Sequence, residues 1–145
     1  MRATYVLDTD VLVAALRSDQ GASRQLLLAA LAGRFDLVLS VPLVLEYEAV
    51  LTRPEHLAAC GLTSGEVERV LDDLVSIARP VHLDFLWRPM LPDADDDMVL
   101  ETAANGNVTA IVTFNQRDFA ETSKRFACSV IAPAEALRQI RSSNQ

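Results

Sequence analysis

The chain alternates between short apolar runs and longer segments with helical spacing. Five runs, at residues 3–7, 37–41, 80–83, 109–113 and 129–132, are short and largely apolar, which is typical of strands buried on both faces. The longer segments between them carry apolar residues three and four positions apart, as amphipathic helices do. Helices that alternate with short buried strands predict a three-layer α/β/α fold with a parallel sheet of about five strands.

Glycine, proline and capping residues set the expected ends of the helices. The predicted helices cover residues 11–16, 22–32, 42–53, 64–78, 95–105 and 133–140. Pro54 is expected to break the third helix, and Ser64 is the expected N-cap of the fourth. The expected buried face of that fourth helix consists of Val67, Val70, Leu71, Leu74 and Val75. Residues 87–92 are expected to form a proline-punctuated loop. A frayed tail over 142–145 leaves 1–141 as a single domain.

Composition supports one globular domain. Half of the 145 residues are hydrophobic, which is enough for a single core. No apolar run approaches the length of a membrane span, and acids interrupt the first apolar run, so we expect neither a membrane protein nor a signal peptide. Cys60 and Cys128 match no metal-binding spacing, and we interpret them as reduced thiols, with a disulfide as the alternative. These features predict a cytoplasmic protein.

The distribution of charge is more informative than its total. A net charge of −7 taken alone argues against binding to nucleic acid, because phosphate contacts need Lys and Arg. Residues 84–101, however, hold six acids and one Arg, whereas residues 116–145 hold five basic residues and three acids. The chain therefore concentrates its carboxylates in one region, where bound cations would offset part of the charge.

Acids and small polar side chains follow several predicted strands. In open α/β sheets, ligands bind at the carboxyl ends of the strands, so these side chains are candidates for a shared site. They are Asp8, Thr9, Asp10, Ser40, Glu46, Thr113, Asn115 and Asp118, together with the acids of residues 93–97.

Three of these acids have both a structural and a functional interpretation. Asp8 is a common residue type in turns, but the chain returns at once to apolar sequence, which favours function. Glu46 borders the apolar face of its helix and needs a partner or a cation, whereas Glu48 lies outside that face and is expected to be solvated. Asp118 fits an N-cap as well as it fits a site carboxylate.

The acids of residues 93–97 exceed what helix capping requires. One or two acids satisfy the N-terminus of a helix, but four within five residues repel one another. Capping together with metal binding accounts for the excess. Asp96 shares a helical face with the apolar positions 99, 100 and 103, so it is the expected site carboxylate. Asp93 either orients Asp96 or caps the helix.

A cluster of carboxylates without nearby His or Cys favours a hard cation such as Mg²⁺ or Mn²⁺. Such an ion can activate water and stabilise the leaving oxygen of a phosphodiester. No glycine-rich phosphate loop and no convincing Ser–His–Asp arrangement offers other chemistry. His56 and His82 are better explained as surface or core residues than as general bases.

Four stretches together resemble the PIN domain, in particular the VapC-like ribonuclease toxins of toxin–antitoxin systems. They are YVLDTDVLVAAL, SVPLVLEYEAVLTRP, PDADDDMVLETAANGNVTAIVTFNQRDF and IAPAEAL, and they occur in the order found in the family. Residues 56–87 carry little of the resemblance. The resemblance implies a PIN fold, cleavage of RNA that depends on Mg²⁺ or Mn²⁺, a homodimer and a small antitoxin partner.

The resemblance also implies roles for individual residues. The catalytic and metal-binding set is Asp8, Glu46, Asp96 and Asp118, and the residues that position substrate or water are Thr9, Thr113 and Asn115. Within that set, Asp8 and Asp96 would bind the metal directly, and the other two acids directly or through water. Many family members have Asn at position 10 and others have Asp at position 115. These departures leave open the role of Asp10 and the number of metal ions.

Two alternatives remain open from the sequence. The stretch LDTDVL also resembles the start of haloacid-dehalogenase-type phosphatases, in which the first acid, here Asp8, is the nucleophile. That chemistry needs a later Lys and a Gly-Asp motif, but Lys124 is the only lysine and no Gly-Asp pair exists. The other alternative is a non-catalytic PIN-like module that binds RNA or protein.

Overall fold

The structure is a computed structural model that describes residues 2–83, 94–123 and 128–143, with the backbone alone at 94–97, 121–123 and 143. The strands are β1 (Thr4–Leu7), β2 (Asp36–Leu39), β3 (Arg79–Pro80), β4 (Ala110–Val112) and β5 (Ser129–Ile131). The helices are α1 (Thr9–Arg17), α2 (Ala22–Leu31), α3 (Val41–Leu51), α4 (Pro54–Cys60), α5 (Ser64–Ile77), α6 (Ala94–Gly106), α7 (Gln116–Ser123) and α8 (Pro133–Ser143).

The five strands form one parallel sheet in the order β3-β2-β1-β4-β5. The central strand β1 pairs with β2 through Tyr5 and Leu37, and with β4 through Leu7 and Val112. Helices cover the sheet in a three-layer α/β/α arrangement, as the sequence predicts. Since all strands run in one direction, their carboxyl ends meet at one edge of the sheet.

The central strand lies inside the core. All four residues of β1 are buried, and Tyr5, Val6 and Leu7 are at most 1 % exposed. Each such side chain contributes about 1.5–3 kcal/mol relative to its exposed state. Tight packing on both faces of β1 fixes the position of whatever follows Leu7, which is Asp8.

The second strand ends earlier than the sequence predicts. The apolar run over residues 37–41 is not all strand, because β2 ends at Leu39 and Val41 is the first residue of α3. Ser40 caps that helix, with its hydroxyl oxygen accepting from the Leu43 N–H at 3.3 Å. Val41 is 72 % exposed, so its apolar side chain is not evidence of a buried strand.

Two helix boundaries in the middle of the chain also differ from expectation. Pro54 does not merely end a helix, because it opens α4 at a position where no N–H donor is needed. Thr63, not Ser64, caps α5, in a capping box formed with Glu66. Val75, expected on the buried face of α5, is 48 % exposed.

The remaining elements match the sequence with shifted ends. The third strand is Arg79–Pro80 instead of residues 80–83, and α8 extends three residues beyond Ile140. The helix α7 was not expected, and the predicted loop over 87–92 lies outside the described residues. Both cysteines are free. Within the described ranges, no helix is long and apolar enough to cross a membrane.

Candidate active site

Asp8 stands at the carboxyl end of the central strand and is only 5 % exposed. Its backbone N–H donates to the Val112 carbonyl at 2.9 Å, so the pairing of β1 with β4 continues through this residue. One carboxylate oxygen, Oδ1, accepts from the Thr9 N–H at 2.8 Å, and the other, Oδ2, accepts from the Thr113 hydroxyl at 2.7 Å. With both oxygens held, the Asp8 side chain has a fixed direction.

Thr113 joins three neighbouring strands at this edge. It follows β4 and is fully buried, and its backbone N–H donates to the Ile131 carbonyl of β5 at 3.0 Å. Its hydroxyl donates to Asp8 and accepts from the Asn115 N–H at 2.9 Å. A hydroxyl has one proton and two lone pairs, so both contacts are satisfied together.

Asp10 connects the start of α1 to the turn after β4. Its Oδ2 accepts from the Phe114 N–H and from the Asn115 side-chain amide, both at 3.2 Å. Its Oδ1 is buried and has no hydrogen-bond partner in the described part of the chain. A buried carboxylate oxygen without a donor is costly, so it is a candidate ligand for a cation.

The raised pKa of Asp10 also indicates a site for a cation. Burial, followed by the negative charge of Asp8, raises the pKa of the Asp10 carboxyl to about 7. The Phe114 N–H, which donates to Oδ2, and the nearby Val11 N–H, which donates to the Asp8 carbonyl, oppose this rise but do not cancel it. Near neutral pH, two crowded carboxylates therefore resist carrying two charges, and a divalent cation would relieve the repulsion.

Tyr47 supports the cluster from beneath. The residue is 1 % exposed, and its hydroxyl donates to the carbonyl of Leu7, the residue before Asp8. Burial and the charge of Asp8 raise the Tyr47 pKa well above its ordinary value, so the phenol remains a proton donor. The adjacent Glu46 is half-buried, whereas Glu48 is exposed, as expected from the helical spacing.

The structure brings some of the expected site residues together. Asp8, Thr9, Thr113 and Asn115 lie in one hydrogen-bonded network, and Asp10 belongs to it as well. We call Asp8, Asp10, Thr113 and Asn115 the acidic cluster. Thr9 contributes through its backbone N–H. Thus the network contains four of the seven expected residues and one whose role the sequence left open.

The other expected acids lie on the helices α3, α6 and α7. Glu46 lies on α3, and Asp118 is exposed in the first turn of α7, where its N–H donates to the Asn115 carbonyl at 3.1 Å. It is therefore not the N-cap of that helix. Among the described side chains, no group of three or more His, Cys, Asp and Glu is arranged to hold a metal ion.

The acids before α6 lie partly or wholly outside the described residues. Asp93 is outside them, and Asp96 is described by its backbone in α6 and not by its side chain. The apolar face expected to accompany Asp96 is present, since Val99, Leu100 and Ala103 are all at most 2 % exposed. The predicted pairing of Asp96 with Asp8 therefore stays a prediction.

The sequence left the role of Asp10 open and assigned no role to Tyr47. The available signal for Asp10 was its place in the first turn of a helix, two residues after Asp8. Its contact with Asn115 joins residues 105 positions apart, which local sequence patterns do not encode. For Tyr47, the buried phenol oxygen was the signal, because such a group needs a partner.

The donors present fit a hard divalent cation. Mg²⁺ is usually bound through one or two carboxylates and keeps several waters, so a complete set of protein ligands is not required. Asp8 and Asp10 supply carboxylate oxygens at one edge, and Oδ1 of Asp10 has no donor among the residues that the structure describes. Burial and the charge of Asp8 both raise the Asp10 pKa, and a bound cation would offset both effects.

The fold and the site together define a class: a three-layer α/β/α protein with an acidic site at the carboxyl edge of its central strand. Within that class, the family model described as the PIN domain matches residues 4–117. The chain belongs to the PIN domain family. No curated protein matches the chain. PIN domains are generally nucleases that use divalent metals, and the match does not favour a phosphatase or a non-catalytic module.

Proposed function

We propose that this protein is a metal-dependent endoribonuclease and the toxin of a toxin–antitoxin pair. The observation that carries the proposal is the pair of crowded carboxylates, Asp8 and Asp10, at the carboxyl edge of a PIN domain. One oxygen of this pair is buried without a donor among the described residues. Such a site is suited to bind a cation, and the bound cation can in turn bind a phosphate group.

In this proposal, Asp8 and Asp96 bind Mg²⁺ or Mn²⁺ directly, and Glu46 and Asp118 act directly or through water. A divalent ion held by these residues would supply an activated water and positive charge beside the scissile phosphate. Thr113 and the Thr9 N–H keep the Asp8 carboxylate in one orientation. A fixed carboxylate requires no reorganisation during the reaction, which is the basis of electrostatic preorganisation.

Asn115 completes the arrangement in this proposal. Its side-chain N–H donates to Asp10, which leaves its amide oxygen as the end available to a water or a ligand. An amide oxygen at this position offers a ligand without a charge. The proposal therefore extends to one metal ion or two, with the second bound less firmly than a carboxylate would bind it.

The direct test is cleavage of purified RNA in the presence of Mn²⁺. We expect cleavage by the wild-type protein, none in EDTA, and a loss of several kcal/mol of transition-state stabilisation, on the order of 1,000-fold or more, in Asp8→Asn. Asp72→Asn, an exposed acid on α5, is the matched control and should cleave normally. Equal cleavage by wild type and Asp8→Asn would identify a contaminating nuclease. Cleavage by neither would contradict the proposal and leave the binding module.

The toxin role and the partners are tested separately. We propose an RNA substrate, a small antitoxin, a homodimer and a cytoplasmic location for a single domain over residues 1–141. Expression of the wild-type protein in a bacterial host should arrest growth, and Asp8→Asn should not. Co-expression of a short neighbouring reading frame should restore growth if that frame encodes the antitoxin. Growth that is unaffected by the wild-type protein would argue against the toxin role.

A further inference from the structure

Phe114 presents an aromatic ring to solvent beside the acidic cluster. It lies between Thr113 and Asn115 in the turn from β4 to α7, and it is 54 % exposed. Phe119, five residues later, is fully buried, so one phenylalanine of this short segment packs into the core and the other faces solvent. Leaving a phenyl ring in water forgoes the stabilisation that its burial would give. Packing of this chain therefore does not account for the position of Phe114.

The backbone of Phe114 is held in place on both sides. Its own N–H donates to Asp10 at 3.2 Å. The preceding Thr113 donates its hydroxyl to Asp8, and the following Asn115 donates its side-chain amide to Asp10. The ring is thus attached to a backbone segment that three hydrogen bonds tie to the two carboxylates. A ring mounted on such a restrained turn is preorganised for contact with a bound ligand.

Phe114 differs from the other exposed apolar side chains in the described part of the chain. The large hydrophobic residues that are mostly exposed or nearly so are Leu28, Val41, Leu45, Val75, Ile77 and Phe114. The other five are aliphatic and lie on α2, α3 and α5, and three of them, Val41, Leu45 and Val75, line one pocket between α3 and α5. Phe114 alone of this group is aromatic and adjoins the acidic cluster.

We propose that Phe114 contacts the substrate by stacking on a base of an unpaired nucleotide next to the scissile phosphate. This inference rests on the nuclease function proposed above. Every base offers an aromatic face, so stacking tolerates any sequence, but it requires a base that is free of its neighbours. In a duplex, base pairing and stacking cover those faces. The ring would therefore discriminate by strand state rather than by sequence.

Binding to a short, unstructured RNA of mixed sequence tests this role without cleavage. The measurement is fluorescence anisotropy of labelled RNA with Asp8→Asn protein, repeated with otherwise wild-type protein in EDTA. Adding Phe114→Ala should weaken binding about 5- to 100-fold, the usual effect of removing one stacking ring. Phe114→Trp should bind at least as well as the parent. Leu28→Ala is the control, since Leu28 is 55 % exposed on α2 and has no place in the acidic cluster.

The same RNA annealed to its complement gives the second arm. Duplex binding should be weaker than single-strand binding and should change little in Phe114→Ala. A third arm places the fluorescent base 2-aminopurine along the unpaired strand, because stacking quenches its emission. We expect the 2-aminopurine emission to be quenched at one position of the RNA by the protein with Phe114 and by Phe114→Trp. Phe114→Ala should not quench it. Unchanged affinity in Phe114→Ala, or an equal loss for single strand and duplex, would overturn the proposal.

The outcomes separate this inference from the proposed function. If wild-type protein cleaves RNA and Phe114→Ala binds normally, the stacking role alone fails, and an exposed ring of this kind fits a protein partner better. If wild-type protein cleaves nothing but single-strand binding depends on Phe114, the nuclease function fails and the stacking role stands as a binding property.

Discussion

Two buried polar groups lie near the carboxyl edge of the sheet, and they differ in one respect. Ser40 and Thr102 join β2 to α6 through their hydroxyls at 2.7 Å, and Thr102 also bonds the Met98 carbonyl at 2.7 Å. With Ser40 donating to Thr102 and accepting from the Leu43 N–H, each hydroxyl proton has an acceptor. This hydroxyl pair, Ser40 and Thr102, is neutral and satisfied.

The acidic cluster is equally buried at Asp8 and Thr113 but carries two carboxylates. One oxygen of Asp10 has no donor among the described residues, and its carboxyl holds a proton up to about pH 7 because of burial and the charge of Asp8. The comparison separates two uses of buried polarity. A neutral network whose hydrogen bonds are all satisfied stabilises the fold. A charged network with an unsatisfied carboxylate oxygen can be stabilised further by a bound ligand.

Among the residues that hold Asp8 in place, we expect Thr113 to affect activity most, and Thr113→Val tests this. This change keeps the shape of the side chain but removes the hydroxyl that donates to Asp8 and accepts from the Asn115 N–H. Hydrogen bonds to charged groups contribute about 1.5–3 kcal/mol, so RNA cleavage should fall about 10- to 100-fold. Calorimetric titration with Mn²⁺ should show weaker binding. Full activity would show that Thr113 does not orient Asp8.

The same substitution at the hydroxyl pair should have the opposite profile. Thr102→Val leaves the Ser40 hydroxyl proton buried without its acceptor, which costs about 1–2 kcal/mol of unfolding free energy. Mn²⁺ affinity and cleavage should stay at wild-type levels under conditions where the protein is folded. Chemical denaturation measures the first quantity, and titration measures the second. If Thr102→Val weakened Mn²⁺ binding as much as Thr113→Val does, the distinction between the two networks would be wrong.

The sequence predicted that the residues after β1 and β4 lie at the same edge of the sheet. The run before Asp8 and the run before Thr113 are short and apolar, and two parallel strands place their following residues at one edge. It did not predict that β1 and β4 are adjacent, or that Asp10 reaches across to Asn115. Such contacts depend on how strands pair over long separations, and a single sequence carries no direct signal for them.

Element ends were predicted less well, for a shared physical reason. Val41 continues the apolar run of β2, but the cap formed by Ser40 starts α3 at this residue. Val75 fits the apolar face of α5 by its spacing, but its side chain is only about half buried. Pro54 ends one helix and begins another, so its presence alone does not say which. In each case, tertiary packing or a cap decides between local choices of similar free energy.

A smaller effect is expected beneath the cluster, at Tyr47→Phe. The change removes only the hydroxyl that donates to the Leu7 carbonyl, so the unfolding free energy should fall by about 0.5–1.5 kcal/mol. Cleavage should fall less than in Thr113→Val, because Tyr47 acts on the strand before Asp8 and not on its carboxylate. Thermal denaturation and cleavage rates test both statements. A cleavage defect larger than that of Thr113→Val would indicate a direct role for the phenol.

The subtlest prediction concerns the charge of the cluster without metal. The Asp10 carboxyl has a pKa of about 7 in the folded protein and an ordinary value of 3.8, so between these values the folded state binds more protons than the unfolded state. Stability in EDTA should therefore decline as the pH rises from about 4 to about 8, and Asp10→Asn should reduce that decline. The single amide oxygen of Asn can still accept both hydrogen bonds, while its NH2 group takes the place of Oδ1.

Thermal denaturation of wild type and Asp10→Asn across this pH range, with Asp72→Asn as the exposed control, measures the effect. The Asp10 side chain is partly exposed, so solvent screening keeps the difference small. Saturating Mn²⁺ should raise the melting temperature of the wild-type protein most at the alkaline end, where both carboxylates are charged. A wild-type stability profile parallel to that of Asp10→Asn would mean that burial and the charge of Asp8 do not raise the Asp10 pKa. The acidic cluster would then be as closed a network as the hydroxyl pair.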